Sequence, residues 1–189
     1  MNSDTKNKID EIFNESWIIR VIQQISKQIV EDIKPIEDSV IIGIRRRGGY
    51  IAKRLADEIK KLSDFEPQFG QIDTTLYRDD ISSAGAKPVL QKTEIPSSII
   101  NKPIILVDDV LYTGRTIRAA LDALIDFGRP KCIKLAVLID RGHRELPIYA
   151  DYVGLKLNLP IEKSIKVSLI EEGKMDRIVI LPYPEKVSW

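Results

Sequence analysis

Three apolar runs in this chain each stop at a polar cluster, and the segments between them carry the period of a helix. "SVIIGI", Ser39 to Ile44, stops at "RRRGG"; "KPIILVDD" runs into "VLYTGRT"; "KCIKLAVLID" runs into "RGHREL". A fourth, β-rich stretch, "FGQIDTTLYRDD" from Phe69 to Asp80, ends the same way. Apolar runs without polar alternation suit strands covered on both faces. Before and between them, "WIIRVIQQISKQIVEDI" sets Ile18, Ile22, Ile25 and Ile29 on one stripe, with Arg20, Gln24, Lys27 and Glu31 off it. That is an amphipathic helix capped by Asn14 or Ser16. Ile51, Leu55, Ile59 and Leu62 repeat the helical spacing, as do Ile117, Ala120, Leu121 and Leu124 ahead of a stop at Gly128.

The alternation predicts an α/β fold: a mostly parallel sheet with helices on both faces. From Asp151 the pattern changes to short strands, "DYVGLKL", "SIKVSLI" and "DRIVILP", which read as an antiparallel extension or small hood at the sheet's edge. One domain is expected over residues 1–189, with an N-terminal helix over about 14–33 and the strand extension over about 151–182. In such sheets ligands bind beyond the carboxyl ends of the parallel strands, where all four polar clusters fall.

At 189 residues with 43% hydrophobic and 30% charged residues, the chain has the makings of an ordinary globular core. Its net charge of +1 excludes a binder of nucleic acid that works through a global basic field; any RNA surface would be a local patch. A single cysteine, Cys132, excludes an internal disulfide or a thiol cluster for zinc, and its apolar neighbours predict a small buried side chain. No run reaches the roughly 18 apolar residues of a membrane span. The polar start "MNSDTKNKIDEIFNES" is unlike a secretory signal. A reduced, cytoplasmic protein is expected.

The clusters point to a chemistry. Two adjacent charges, Asp108 and Asp109, at the end of a buried strand cost desolvation and mutual repulsion unless they hold something. Just after them, Thr113, Gly114, Arg115 and Thr116 precede a helix whose free N–H groups and positive dipole end suit a phosphate. A helix cap needs only one of the two threonines. Arg45, Arg46 and Arg47 end another strand beside Gly48 and Gly49 and can face a second anion. No GxxxxGK[ST] and no GxGxxG after a strand occurs, which excludes a P-loop triphosphatase and a dinucleotide fold. A phosphorylated sugar fits: phosphate on the helix, and vicinal hydroxyls or a metal on the paired carboxylates.

"IILVDDVLYTGRT" resembles the phosphoribosyl-diphosphate (PRPP) motif of type I phosphoribosyltransferases, and nearly in full the version found in the PyrR family. That family joins uracil phosphoribosyltransferase activity to uridine-nucleotide-dependent control of pyrimidine-operon transcription. The resemblance extends through "IGIRRRGGYIAKRLADEI", "IDTTLYRDD", "ALDALIDFGRP" and "LAVLIDRGHRELPIYADYVG", from about Ile41 to Gly154. It implies Asp108 and Asp109 as the catalytic pair on the ribose hydroxyls, with Val110, Leu111 and Tyr112 in the nucleotide loop. Thr113, Gly114, Arg115 and Thr116 go to the 5′-phosphate, and Arg46, Arg47 and Gly48 to the diphosphate. Arg78 sits at the root of a loop over PRPP; Asp140, Arg141 and Ile165 lie near the base. Mg²⁺ is implied as the companion of PRPP, with no metal site of the protein's own. The implied partners are uracil, UMP or UTP, pyrimidine-operon leader RNA and further copies of the chain as a homodimer or homotetramer.

His143, the only histidine, is read as structural or as a polar recognition group rather than as a catalytic base. For RNA, Arg20, Lys27 and Arg144 are the candidate donors. The departures from the family's usual sequence fall on that regulatory surface: Gln23, Gln24 and Lys27 on the first helix, Tyr149, and "LKLNLPIEK" from Leu155 to Lys163. Two expectations stand together, an enzyme making UMP and a nucleotide sensor that binds RNA. The alternative is a salvage enzyme or sensor without RNA binding.

Overall fold

The computed structural model of the chain describes residues 10–77, 92–95 and 98–182. Within them run three α-helices, α1 (Glu15–Asp32), α2 (Arg47–Ser63) and α3 (Arg115–Ile125). The strands are β1 (Asp10–Asn14), β2 (Val40–Ile44), β3 (Gln68–Ile72), β4 (Pro103–Leu111), β5 (Cys132–Asp140), β6 (Tyr152–Lys156), β7 (Lys163–Ser168) and β8 (Arg177–Pro182). They form a parallel sheet in the order β3-β2-β4-β5-β6 and a smaller antiparallel sheet in the order β1-β8-β7.

The unbroken apolar runs are explained by two cores, one on each face. Ile41, Ile105, Val107, Ala136 and Leu138 pack toward α1, α2 and the small sheet. Their neighbours Ile42, Ile104, Leu106, Leu135 and Val137 pack toward α3. Successive strand residues thus bury on opposite sides, and each such side chain contributes about 1.5–3 kcal/mol.

The helices follow their stripes. Asn14 caps α1, its side-chain oxygen accepting the Trp17 N–H at 3.2 Å, and Ile18, Ile22, Ile25 and Ile29 are buried. On α2, Ile51, Leu55 and Ile59 are buried, but Leu62 lies exposed in the last turn.

Three expectations change. "DYVGLKL" does not join the hood: β6 adds to the main sheet, parallel to β5 through Ala136↔Tyr152 and Ile139↔Leu155. The hood instead recruits β1 from the polar N-terminal stretch, paired with β8 through Asp10↔Ile180 and Asn14↔Arg177. Cys132 is exposed rather than buried, because it is the first residue of β5, where neither core reaches.

The sheet's topology makes a crevice. From β2 the chain adds β3 on one side, then returns to lay β4, β5 and β6 on the other. The strand order therefore reverses between β2 and β4, the switch point at which such sheets bind ligands. The last pair between these strands is Gly43↔Val107, yet β4 continues to Leu111 beside β5. Asp108 and Asp109 thus lie beyond the last β2–β4 pair, at the end of β2.

Candidate active site

At that switch point lies a cleft of about 390 Å³ lined by Ile44, Arg45, Arg46, Arg47, Thr74, Asp108, Asp109, Val110, Thr116 and Glu172. Each acidic side chain is oriented by the next peptide: Asp108 Oδ1 accepts the Asp109 N–H at 3.0 Å, and Asp109 Oδ1 accepts the Val110 N–H at 2.9 Å. Asp108 is only 8% exposed. Asp109 Oδ2 approaches Arg47 Nη1 at 3.5 Å, and Arg47 Nε donates to Glu172 Oε2 at 3.2 Å. Burial opposes the charge of Arg47, but Asp109 and Glu172 outweigh it and raise its pKa above the usual arginine value.

The arginine loop is held by the fold. Arg45 N–H donates to the Ile72 carbonyl at 3.0 Å, and Arg46 is the last residue before α2 begins at Arg47. Gly48 is buried within the first turn of α2, against β4.

Across the cleft, β4 turns into α3. Gly114, at φ +95°, precedes the helix with no side-chain cap, and only glycine adopts that conformation without strain. The first turn of α3 is thereby presented to the cleft with the Thr116 side chain lining it. Thr113 Oγ1 accepts the Arg115 N–H at 3.4 Å, its carbonyl is taken by the N–H groups of Glu145 and Leu146, and Arg115 Nε pairs with Glu145 at 2.6 Å. Of the four residues from Thr113 to Thr116, Thr116 is the one that lines the cleft.

The structure does not bring the expected base residues into this cleft. Arg141 is 2% exposed, its Cζ 3.9 Å from the centre of the Tyr112 ring, and its Nη2 donates to the carbonyls of Pro160, Ile161 and Lys163. Its Nε and Nη1 have no hydrogen-bond partner among the described residues, and the ring face offsets part of that cost. Asp140 Oδ1 accepts from Arg144 Nη2 at 2.5 Å and from the Gly142 N–H at 3.0 Å. Ile165 on β7 packs against the core shared with α1 and α2. Asp140 and Arg141 brace the loop that follows β5. Leu111 is buried, and Arg78 lies outside the described residues.

Arg144, expected on an RNA surface, is turned inward. It donates to the carbonyls of Tyr112 at 2.7 Å, Ile148 at 2.8 Å and Gly142 at 3.0 Å, with its side chain 13% exposed. Arg20 and Lys27 do lie exposed on α1, with Gln23 and Gln24, although Lys27 pairs with Glu31 at 3.9 Å. His143 Nε2 lies 2.7 Å from the Leu159 carbonyl, a structural contact. Thr74 and Glu172 also line the cleft. Thr74 lies within "IDTTLYRDD", although no role was read for it, whereas Glu172 sits in no motif and reaches the cleft only through the tertiary fold. Among the described residues no helix is long and apolar enough to cross a membrane.

Compared with known proteins, residues 8–171 match the phosphoribosyl transferase domain. The bifunctional protein PyrR of Enterococcus faecalis (strain ATCC 47077 / OG1RF) is 50% identical over 170 residues, covering 90% of this chain and 95% of that protein. The bifunctional protein PyrR of Bacillus cereus (strain B4264) is 48% identical over 171 residues, covering 89% and 95%. Among solved structures, a hypoxanthine-guanine phosphoribosyltransferase of Bacillus anthracis is similar at a TM-score of 0.68 and 22% identity, over 92% of this chain and 99% of that one. A hypoxanthine phosphoribosyltransferase of Trypanosoma cruzi, in a ternary substrates complex, is similar at 0.70 and 20% identity over 96% and 98%. The structural likeness is one of fold; the extent and identity of the sequence matches go further, and the chain belongs to the PyrR family of type I phosphoribosyltransferases.

Proposed function

We propose that this chain is a cytoplasmic uracil phosphoribosyltransferase, forming UMP and diphosphate from uracil and PRPP, and that it also regulates pyrimidine-operon transcription by binding leader RNA in response to uridine nucleotides. The observation that carries the enzyme reading is the single cleft in which paired, backbone-oriented carboxylates stand between three arginines and the N-terminus of α3. A homodimer or homotetramer is part of the proposal.

In this reading the 5′-phosphate sits on the first turn of α3 with the Thr116 hydroxyl, and Asp108 and Asp109 accept the ribose hydroxyls. Arg46 and Arg47 face the diphosphate. A uracil nitrogen bonds to C1 of the ribose as the C1–O bond to diphosphate breaks, and the proton on that nitrogen leaves to the departing diphosphate or to solvent. Positive charge builds on the sugar and negative charge on the leaving group. The carboxylates fix the ribose and favour the cationic sugar, while the arginines take up charge on the diphosphate. No covalent nucleophile is required. The base end is assigned to the loop after β5 braced by Asp140 and Arg141, with Ile165 on the neighbouring β7.

The site fits Mg²⁺ in one way. Its oxygen donors Asp108 and Asp109 are of the type that ion takes. Yet among the described residues no three acidic, histidine or cysteine side chains converge to hold a metal. Mg²⁺ would enter with PRPP and supply charge neutralisation at the diphosphate, and Asp108 and Asp109 are the residues that would hold it.

The test is UMP formation from uracil, PRPP and Mg²⁺, run beside hypoxanthine, guanine and orotate. Uracil should exceed each of the others in kcat/KM by about 10²-fold or more, as expected of a site that hydrogen-bonds its base. Comparable turnover of a purine would remove the uracil assignment and leave phosphoribosyl transfer. For the regulator, filter binding to a pyrimidine-operon leader across a KCl series should show few phosphate contacts, each adding a slope of roughly 0.7–0.9 in log affinity. With Arg144 occupied, Arg20 and Lys27 remain as the candidate donors, and the selectivity belongs to unpaired bases. UMP should tighten binding; no specific binding at low salt with UMP present would leave the enzyme alone.

A further inference from the structure

The cleft sets carboxylates against guanidinium groups in equal number: Asp108, Asp109 and Glu172 against Arg45, Arg46 and Arg47. Two of the carboxylates belong to β4. The third comes from the hood, where Glu172 ends the 3₁₀ turn Ile170–Glu172 between β7 and β8. That turn is fixed to α2. Arg54, two helical turns beyond Arg47, grips Glu171 through Nε at 2.8 Å and Nη2 at 2.7 Å, and reaches Asp176 at 3.0 Å. Asp176 Oδ1 also accepts the Ile170 N–H at 2.7 Å. Burial disfavours the charged form of Asp176, yet Arg54 and that N–H hold its carboxyl below the usual range. The clamp delivers Glu172 to Arg47 at 3.2 Å, with the Glu172 side chain 14% exposed.

We propose that Glu172 is a positioning residue that competes with the diphosphate end of the substrate for Arg47, loosening the cleft's hold on diphosphate and so speeding release of that product. The proposal rests on the assignment of the arginine loop to diphosphate. A guanidinium offers five N–H donors in a fixed fork, and here Nε is committed to Glu172 while Nη1 faces Asp109. An incoming diphosphate therefore meets a guanidinium whose charge is already shared with two carboxylates. Asp109 is required on the ribose. Glu172 is therefore the partner whose charge works against the anion, and it is screened only in part. UMP carries no diphosphate and does not meet this opposition.

Glu172→Gln removes the charge and keeps the side chain's length. The turn itself is tied by the Glu172 N–H to the Leu169 carbonyl at 3.0 Å, which the substitution leaves in place. Calorimetric titration with diphosphate and Mg²⁺ should show binding about fivefold tighter than wild type, the upper end for a partly exposed ion pair, with UMP affinity unchanged. In turnover, KM for PRPP and kcat should fall together. Glu172→Asp, which keeps the charge, should stay within about twofold of wild type. Diphosphate affinity that is unchanged or weaker in Glu172→Gln, a parallel shift for diphosphate and UMP, or equal tightening in Glu172→Asp would each overturn the proposal. The titration uses no base. Tightened diphosphate binding in a protein that makes no UMP from uracil would overturn the uracil assignment alone; an active wild type with no diphosphate effect in Glu172→Gln would overturn this inference alone.

Discussion

Asp108→Asn combined with Asp109→Asn should lower kcat/KM for UMP synthesis by about 10³-fold or more, an effect of about 4 kcal/mol, in a protein that remains folded. Both parts of that expectation come from the atoms involved. Oδ1 of each aspartate accepts the following backbone N–H, at 3.0 Å and 2.9 Å. An asparagine oxygen can do the same, so the end of β4 keeps its shape. The second oxygen of each carboxylate becomes an NH₂, a donor where a ribose hydroxyl must itself donate. Two negative charges beside the developing cation are lost as well. Circular dichroism and thermal unfolding would establish the fold. Substantial activity in a folded double variant would remove the ribose assignment.

Much of the main sheet was legible in the sequence because both of its faces are buried. Ile104 to Val107 and Leu135 to Ile139 have no polar residue to interrupt them, since each alternate position meets a core. The hood was less legible. β1 is a short, polar strand whose partner, β8, lies at the far end of the chain, and no local period announces such a pairing. β6 misled for a different reason. Parallel neighbours are usually joined by a crossover of a dozen or more residues, often a helix. Here only the loop from Arg141 to Asp151 joins β5 to β6, so the antiparallel reading was the natural one.

At the site, legibility followed contiguity. Asp108, Asp109, Val110 and Thr116 sit on one strand-to-helix turn and line the cleft together with Arg46 and Arg47. Thr74 joins them from "IDTTLYRDD", where Arg78 rather than the threonine draws the eye, and Glu172 from a distant turn without a motif. Arg141 and Arg144 show the converse: a sequence gives the charge of a side chain but not whether the fold has already used it. Arg144 is taken up by backbone carbonyls and Asp140, and Arg141 by carbonyls and the Tyr112 ring.

The second large effect is expected at a residue with no side chain. A Cβ on Gly48 would lie 2.4 Å from the Val107 carbonyl oxygen and 3.1 Å from Asp108 Cα, and one on Gly43 would lie 2.4 Å from the Gly48 oxygen. Here α2 and the two central strands meet backbone to backbone, and no rotamer change can relieve an added methyl. Gly48→Ala must therefore move the first turn of α2 away from β4. That shift separates Arg46 and Arg47 from Asp108 and Asp109, and misplacement by about 1 Å can cost about 10² in rate. The strain should also lower unfolding stability by about 1–3 kcal/mol. Gly49→Ala is the matched control: its Cβ would meet the side chain of Gln71, nearest at 2.8 Å, and that side chain can move aside. Denaturant unfolding and UMP synthesis on the pair should show a large loss for Gly48→Ala and a small one for Gly49→Ala. Equal losses would mean that backbone contact between Gly48 and β4 does not set the geometry of the arginine loop.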